Sequence, residues 1–435
     1  MQGEDDVAIV VRCFLFLVFD NRITILAELI FLLYMMLWTI SFVLLSIFTI
    51  VIFVLFFIDY KQEKTSHHNP FISFIIPCYN DGHLVRKCIE SIYASYDPQR
   101  FELIVVNDCS KDDSAEVIQS MQGEYDFTFI NLPQNVGKSG ALNDASKQAK
   151  YDLIAFVDAD AEINPCALND VLDRFETYSR MGAISCPYLP SNMGSFWSYM
   201  QDIEYTMLQF VQGSYNVKSA LAARGGCLTV RKEAFEEVGG FAPHAITEDM
   251  YLAMHMNKYG RKVQQSPCQI KSEVPAGFRI RLKQKIRRCS GAVQAFLSHI
   301  PVWIRNPMHV VYTILIHVVS VIGTIALVTR LIVFGELVDV FMYFVNSLSF
   351  DKGWNFFVFF YGDDVIHNLL YTSIFALFSL PYVIFAIKNF RQIWKILLLL
   401  PYTVIYMSIY SVVGLYSTGL GIYKFFTLKE GERSW

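Results

Sequence analysis

The chain of 435 residues is 54% hydrophobic and 17% charged, with a formal charge of −4. It is too apolar for an ordinary soluble enzyme, and it carries no basic excess of the kind a nucleic-acid partner requires. Charge is also unevenly spread. Residues 25–60 and long stretches after Met308 are almost free of it, whereas residues 61–300 have the composition of a soluble α/β domain. The expected organisation is therefore a membrane segment over 1–60, a domain of ordinary size over 61–300, and a membrane region over 301–435. Nine cysteines lie scattered without a CxxC pair or a zinc spacing, so most are expected to be reduced core residues. The first residues hold Glu4, Asp5 and Asp6 instead of a basic stretch, and a cleaved signal peptide is not expected.

The apolar run at 25–59 is long enough for one crossing, and the shorter 7–19 segment leaves one or two crossings open. Lys61, Lys64, His67 and His68 follow it, and basic residues favour the cytoplasmic side. The domain is thus expected in the cytoplasm, attached to the inner membrane. Phe71-Ile-Ser-Phe-Ile-Ile76 predicts a buried strand stopped by Pro77, followed by a helix carrying Leu84, Cys88, Ile89 and Ile92. Leu103-Ile-Val-Val106 predicts a second strand, residues 114–121 a helix, and residues 127–132 a third strand. Residues 138–150 read as helix, and the run before Val157 reads as a fourth strand. This alternation predicts an α/β domain with a mostly parallel, doubly wound sheet, in which ligands sit beyond the carboxyl ends of the strands. Further crossings are expected at 310–333 and 369–387, and the run at 396–423 forms one span or a pair kinked at Pro401.

Three aspartates or aspartate pairs follow strands and can face one crevice: Asp81, Asp108, and Asp158 with Asp160. Strand alternation sends Asp158 and Asp160 to the same side. They read either as a charged turn or as a site for Mg2+ or Mn2+, ions usually held by one or two carboxylates together with phosphate oxygens and water. Ile246-Thr-Glu-Asp249 reads as a helix start with Thr247 as N-cap, and equally as a carboxylate placed to take a proton. Gln284, Arg287 and Arg288 share a helical face. With Arg279, Arg281, Lys283 and Lys285 around them they suit a basic helix on a membrane surface, and their inner face suits a pyrophosphate. Asn135-Val-Gly-Lys138 is a glycine-containing helix start without P-loop spacing.

Taken in order, Ile-Pro-Cys-Tyr-Asn80, Val-Asn-Asp108, Gly-Lys138, Asp158-Ala-Asp160, Thr-Glu-Asp249 and Gln-x-x-Arg-Arg288 resemble the inverting family 2 glycosyltransferases. The likeness is to the membrane-embedded synthases of cellulose, chitin, hyaluronan and poly-N-acetylglucosamine. It runs from about Phe71 to Val293, and the bacterial poly-N-acetylglucosamine synthases share the most features. The resemblance implies a GT-A-like fold flanked by N- and C-terminal transmembrane helices. It also implies a metal-dependent hexosyl transfer that polymerises a β-linked polysaccharide from a UDP-sugar, such as UDP-N-acetylglucosamine, and passes it across the membrane. Tyr79, Asp108, Lys138 and Asp158 would bind the nucleotide sugar, and Asp158 with Asp160 the metal. Asp249, flanked by Glu248, would be the general base. Gln284, Arg287 and Arg288 would frame the acceptor and diphosphate. The implied partners are the UDP-sugar donor, the growing glycan or a lipid-linked acceptor, membrane lipids and a small accessory membrane subunit.

Two residues depart from the pattern. Arg288 stands where the synthases have a tryptophan that forms a flat floor for the acceptor sugar. The arginine bears on processivity and opens an alternative, the non-processive transfer of one sugar to a lipid-linked acceptor. Cys109 stands where the family often has glycine.

Overall fold

The computed structural model describes residues 70–306, 390–399, 402, 406–427 and a few positions between 47 and 55. Almost all of these belong to one compact unit, Thr49–Thr313 with Phe375–Trp435. In β1 (Ile72–Cys78) alternate residues serve different cores. Ile72, Phe74 and Ile76 join one buried cluster, while Ile75 joins another. The same split separates Leu103 and Val105 from Ile104 and Val106 in β2 (Phe101–Asn107). It recurs in β4 (Leu153–Val157), between Ala155 and Phe156. Strands apolar on both faces must be covered on both, which forces helices to either side of the sheet. One face is covered by α1 (Gly82–Ser95), α2 (Ser114–Met121) and α4 (Pro165–Thr177). The other is covered by α3 (Gly137–Ser146), α6 (Lys232–Glu237) and α7 (Glu248–Lys258).

The main sheet has seven strands in the order β3-β2-β1-β4-β8-β6-β9, where β3 is Thr128–Asn131, β6 Met181–Ser185, β8 Cys227–Arg231 and β9 Lys262–Gln265. Only β8 runs against its neighbours, so the expected mostly parallel α/β sheet is present. The first strand differs from expectation in one respect: it continues through Pro77 to Cys78 instead of stopping at the proline. Its pairing with β4 covers Ile72 to Ile75 alone, so the strand end is laddered on one side, where proline is tolerated. A second sheet of three short strands, β5 (Ala161–Glu162), β10 (Ile270–Ser272) and β7 (Tyr188–Pro190), stands beside the end of β4. Cys166 and Cys268 form a disulfide next to this sheet, an exception to the expectation that most cysteines are reduced. Six other described cysteines are free.

Two long helices complete the unit, α5 (Phe196–Ser214) and α8 (Phe278–Ser298), followed by the short α9 (Ile300–Ile304). The C-terminal helix α10 (Met407–Thr427) lies against α8, where Gly421 admits the side chain of Val293 and Ser290 Oγ donates to the Ser417 carbonyl. Arg281 does not belong to a solvated basic face as its composition suggests, for it is only 1% exposed. Its guanidinium pairs with Glu204, which also pairs with Lys285 and accepts from Tyr406 Oη at 2.6 Å. Burial alone would raise the Glu204 pKa, but the charges of Lys285 and Arg281 lower it well below the carboxylate range. Glu204→Ala takes a counter-charge from buried Arg281 and half-buried Lys285. It is expected to cost about 3–5 kcal/mol of stability, measurable by denaturation of the purified chain.

Among the described residues no helix is long and apolar enough to cross a membrane. The crossings expected at 25–59, 310–333 and 369–387 lie almost wholly outside the described residues. In the 396–423 run the long helix begins after Pro401, at Met407.

Candidate active site

The parallel strands end at one edge of the sheet, and that edge gathers the polar residues. Two residues beyond the ends of β1 and β2 the backbone turns left-handed, at Asn80 with φ 59° and at Cys109 with φ 57°. The two loops are joined: Asn80 N–H donates to Ser110 Oγ at 3.0 Å, and Lys111 N–H donates to Asn80 Oδ1 at 2.8 Å. A left-handed residue other than glycine is disfavoured by about 1–2 kcal/mol, which is a physical reason for glycine where this chain has Cys109. Tyr79 stands exposed beside this junction. Asp108 is buried, and its Oδ1 accepts from Val136 N–H at 2.8 Å while its carbonyl accepts from Asn135 Nδ2 at 3.0 Å. Asp108 thus fixes the loop that starts α3 and carries Lys138.

Lys138 is the hub. Its Nζ lies 2.7 Å from Asp158 Oδ1 and 3.0 Å from Glu248 Oε1, joining the end of β4 to the start of α7. Burial would lower its pKa, but the charges of Asp158 and Glu248 outweigh that and keep it firmly protonated. Asp160 lies across the β4 end and accepts from Ser272 Oγ of β10 at 3.2 Å. Burial, reinforced by the charge of Asp158, pushes its pKa up to about 7. Among the described residues no group of three or more His, Cys, Asp or Glu is arranged to hold a metal. The Asp158/Asp160 pair therefore supplies at most two protein ligands, as is usual for an ion whose other ligands are phosphate and water.

Asp249 and Glu248 open α7. Burial and the neighbouring Glu248 charge push the Asp249 pKa up to about 6. Glu248 shifts the other way, because Lys138 overcomes its burial. Thr247 holds the N-cap position, but its side chain makes no capping bond and its buried Oγ1 has no partner among the described residues, so the expected cap is absent. The loop is held from α8 instead: Gln294 Oε1 accepts from Ile246 N–H at 2.8 Å, and Gln294 Nε2 donates to the His244 carbonyl at 2.9 Å. Arg287 Nη1 reaches the Ile246 carbonyl at 3.5 Å. Gly291 brings α8 close, since a Cβ there would lie 2.6 Å from Thr247 Oγ1. Gly291→Ala should displace the start of α7. A fall in kcat of about 10²-fold, larger than any change in substrate KM, is expected in a steady-state turnover assay.

Gln284, Arg287 and Arg288 have different partners. Gln284 Oε1 accepts from Arg281 Nη1 at 2.7 Å, whereas Arg288 Nη2 donates to Tyr188 Oη at 2.5 Å and its Nη1 to Tyr205 Oη at 3.3 Å. The structure also brings in residues that sequence reasoning passed over. Arg224-Gly225-Gly226 precedes β8, and Asp158 N–H donates to the Gly226 carbonyl at 3.2 Å. A Cβ at Gly225 would lie 3.3 Å from Asp249 Oδ2 and 3.5 Å from Lys138 Nζ. The visible signal was a glycine doublet before an apolar strand, which marks close backbone approach.

Residues 73–239 match the family described as Glycosyl transferase family 2. A poly-β-1,6-N-acetyl-D-glucosamine synthase of Staphylococcus epidermidis is 29% identical over 231 residues, 52% of this chain and 55% of that protein. The synthase of the same name from Staphylococcus aureus strain COL is 28% identical over 230 residues, again 52% and 55%. The match thus spans about half the length of these relatives. The mannosyltransferase PcManGT of Pyrobaculum calidifontis, solved in complex with GDP-Man and Mn2+, is similar in fold, with a TM-score of 0.57 at 17% identity over 88% of this chain and 98% of that one. Residues 73–239 are therefore a family 2 glycosyltransferase domain, built on a GT-A-like α/β sheet.

Proposed function

We propose that the chain is an inverting glycosyltransferase that uses a UDP-sugar to build a β-linked glycan at the inner membrane, with its catalytic domain in the cytoplasm. The observation that carries this reading is the convergence of Asp158, Lys138, Glu248 and Asp249 at one sheet edge, with Asp160 beside them. Asp249 takes the proton from the acceptor hydroxyl as that oxygen attacks the anomeric carbon. Lys138 holds Glu248 ionised beside it and ties the base to the diphosphate side. Asp158 and Asp160 would hold Mg2+ or Mn2+, and the buried, mutually repelling pair fits a cation. The ion would neutralise the leaving diphosphate. The names of the staphylococcal relatives support N-acetylglucosamine as the sugar. Membrane attachment is supported by exposed apolar side chains on α8, α9 and the C-terminal segments, among them Ile280 at 64%, Ile304 at 65%, Leu397 at 79% and Phe426 at 74%.

The test is a screen of UDP-sugars on purified membranes, with and without Mg2+ or Mn2+. UDP release and a polymeric, sized product are expected from UDP-N-acetylglucosamine with a divalent ion. No release from any nucleotide sugar would overturn the reading. A second reading, single transfer to a lipid-linked acceptor, is favoured by Arg288. It predicts a product of one added sugar that partitions into organic solvent.

A further inference from the structure

Arg224 is a buried cation, 7% exposed, and among the described residues neither of its Nη atoms has an acceptor. Its guanidinium sits 5.5 Å from the ring centroids of both Tyr188 and Tyr205. Arg288 approaches the same rings, at 5.7 and 5.9 Å. Two guanidinium groups therefore share one pair of tyrosines, and each makes the burial of the other more costly. The nearby carboxylate, Glu204, already serves Arg281, Lys285 and Tyr406. A guanidinium offers five donors, and buried donors are almost always satisfied. The arrangement lacks an anion.

Its place shows which anion. Burial weighs most on both guanidinium groups, followed by Tyr188 and Tyr205, with Arg288 and Glu204 acting on Arg224 and Arg281 on Arg288. Arg288 also acts on Asp249, and Asp249 acts on Tyr188. Arg224 is followed by Gly225, where a Cβ would lie 3.3 Å from Asp249 Oδ2 and 3.5 Å from Lys138 Nζ. The arginines thus stand on the side of the base, where the attacking hydroxyl must arrive. We propose that Arg224 and Arg288 form an anion site beside Asp249, and that the acceptor carries a phosphate or carboxylate close to the hydroxyl that attacks. This rests on the glycosyl-transfer reading and names its acceptor class.

The test uses the detergent-purified full chain with UDP-N-acetylglucosamine and three acceptors: octyl glucoside, octyl glucuronide and octyl glucosyl phosphate. One or both anionic acceptors should stimulate UDP release at concentrations about 10- to 100-fold below the neutral one, from the worth of a hydrogen bond to a charged group. The better of the two identifies carboxylate or phosphate. Arg224→Met should erase that advantage, leave donor KM unchanged, and raise the melting midpoint by removing an unpaired buried charge. Arg288→Trp should shift preference toward the neutral acceptor. Equal use of all three acceptors, or a rise in donor KM with acceptor KM unmoved, overturns the proposal; in the latter case the guanidinium serves the donor diphosphate. A binding arm is independent of turnover. Glucose 1-phosphate without metal should raise the midpoint of the wild-type chain and not of Arg224→Met, and equal shifts in both overturn the anion site. Absence of UDP release with every acceptor sinks the glycosyl-transfer reading while the binding arm still judges the site.

Discussion

Asp249→Asn is expected to lower kcat by about 10²–10⁴-fold, the range for loss of a positioned general base, while the protein still binds UDP. Asparagine keeps the shape and the Met250 N–H contact at 2.7 Å but cannot accept the acceptor proton. A pH profile checks the same assignment. Burial and the Glu248 charge hold the Asp249 pKa up at about 6, so the carboxyl is protonated below that pH and ionised above it. A base must be ionised, and kcat/KM should therefore fall as pH drops through about 6. The limb belongs to Asp249, because Lys138 holds the neighbouring Glu248 below the usual carboxylate range. Residual activity of the asparagine variant should lack that limb. A raised carboxylate pKa also means that ionised Asp249 weakens the fold above pH 6. The variant should then melt no lower than the wild type at pH 7.5, which separates lost chemistry from lost folding. Retained turnover in Asp249→Asn would end the assignment.

The sheet was legible because its signal is local. Ile72 to Ile76 and Leu153 to Val157 are unbroken apolar runs, and a strand buried on both faces needs no partner information to be read. The carboxylates at the strand ends were legible for the same reason, since a parallel sheet sends each of those ends to one edge. What stayed hidden depends on approach in space. Arg281 reads as one more basic residue of a membrane-facing helix, yet Glu204, 77 residues away, draws it into the interior. The Cys166–Cys268 pair is separated by 102 residues and shares no spacing rule. Arg224 is preceded by two alanines and followed by two glycines, and nothing in that composition says that Tyr188 and Tyr205 will close around it. Thr247 shows the converse: its position at a helix start was readable, but Gly291 and Gln294 of α8 decide what its side chain does.

Asp158→Asn and Asp160→Asn should both remove divalent-dependent UDP release, yet move stability in opposite directions. Losing an ion that offsets the leaving diphosphate is worth several kcal/mol, about 10³-fold in rate. In the metal-free protein the two carboxylates are not equivalent. Asp158 is compensated by Lys138 at 2.7 Å, so its asparagine variant loses an ion pair that is about one-third exposed and worth about 0–1 kcal/mol. Asp160 accepts from the Ser272 hydroxyl, and burial with the Asp158 charge works against its ionisation. Asp160→Asn removes that conflict and should raise the metal-free melting midpoint, by about 2–4 °C for each kcal/mol relieved. Titrating Mn2+ into the wild type should raise its midpoint through preferential binding to the folded state, whereas Asp160→Asn should not respond. A wild-type chain indifferent to Mn2+ and Mg2+, or an Asp160→Asn variant that keeps divalent-dependent UDP release, would remove the ion from this pair. Asp158 would then be left as the anchor of Lys138 alone.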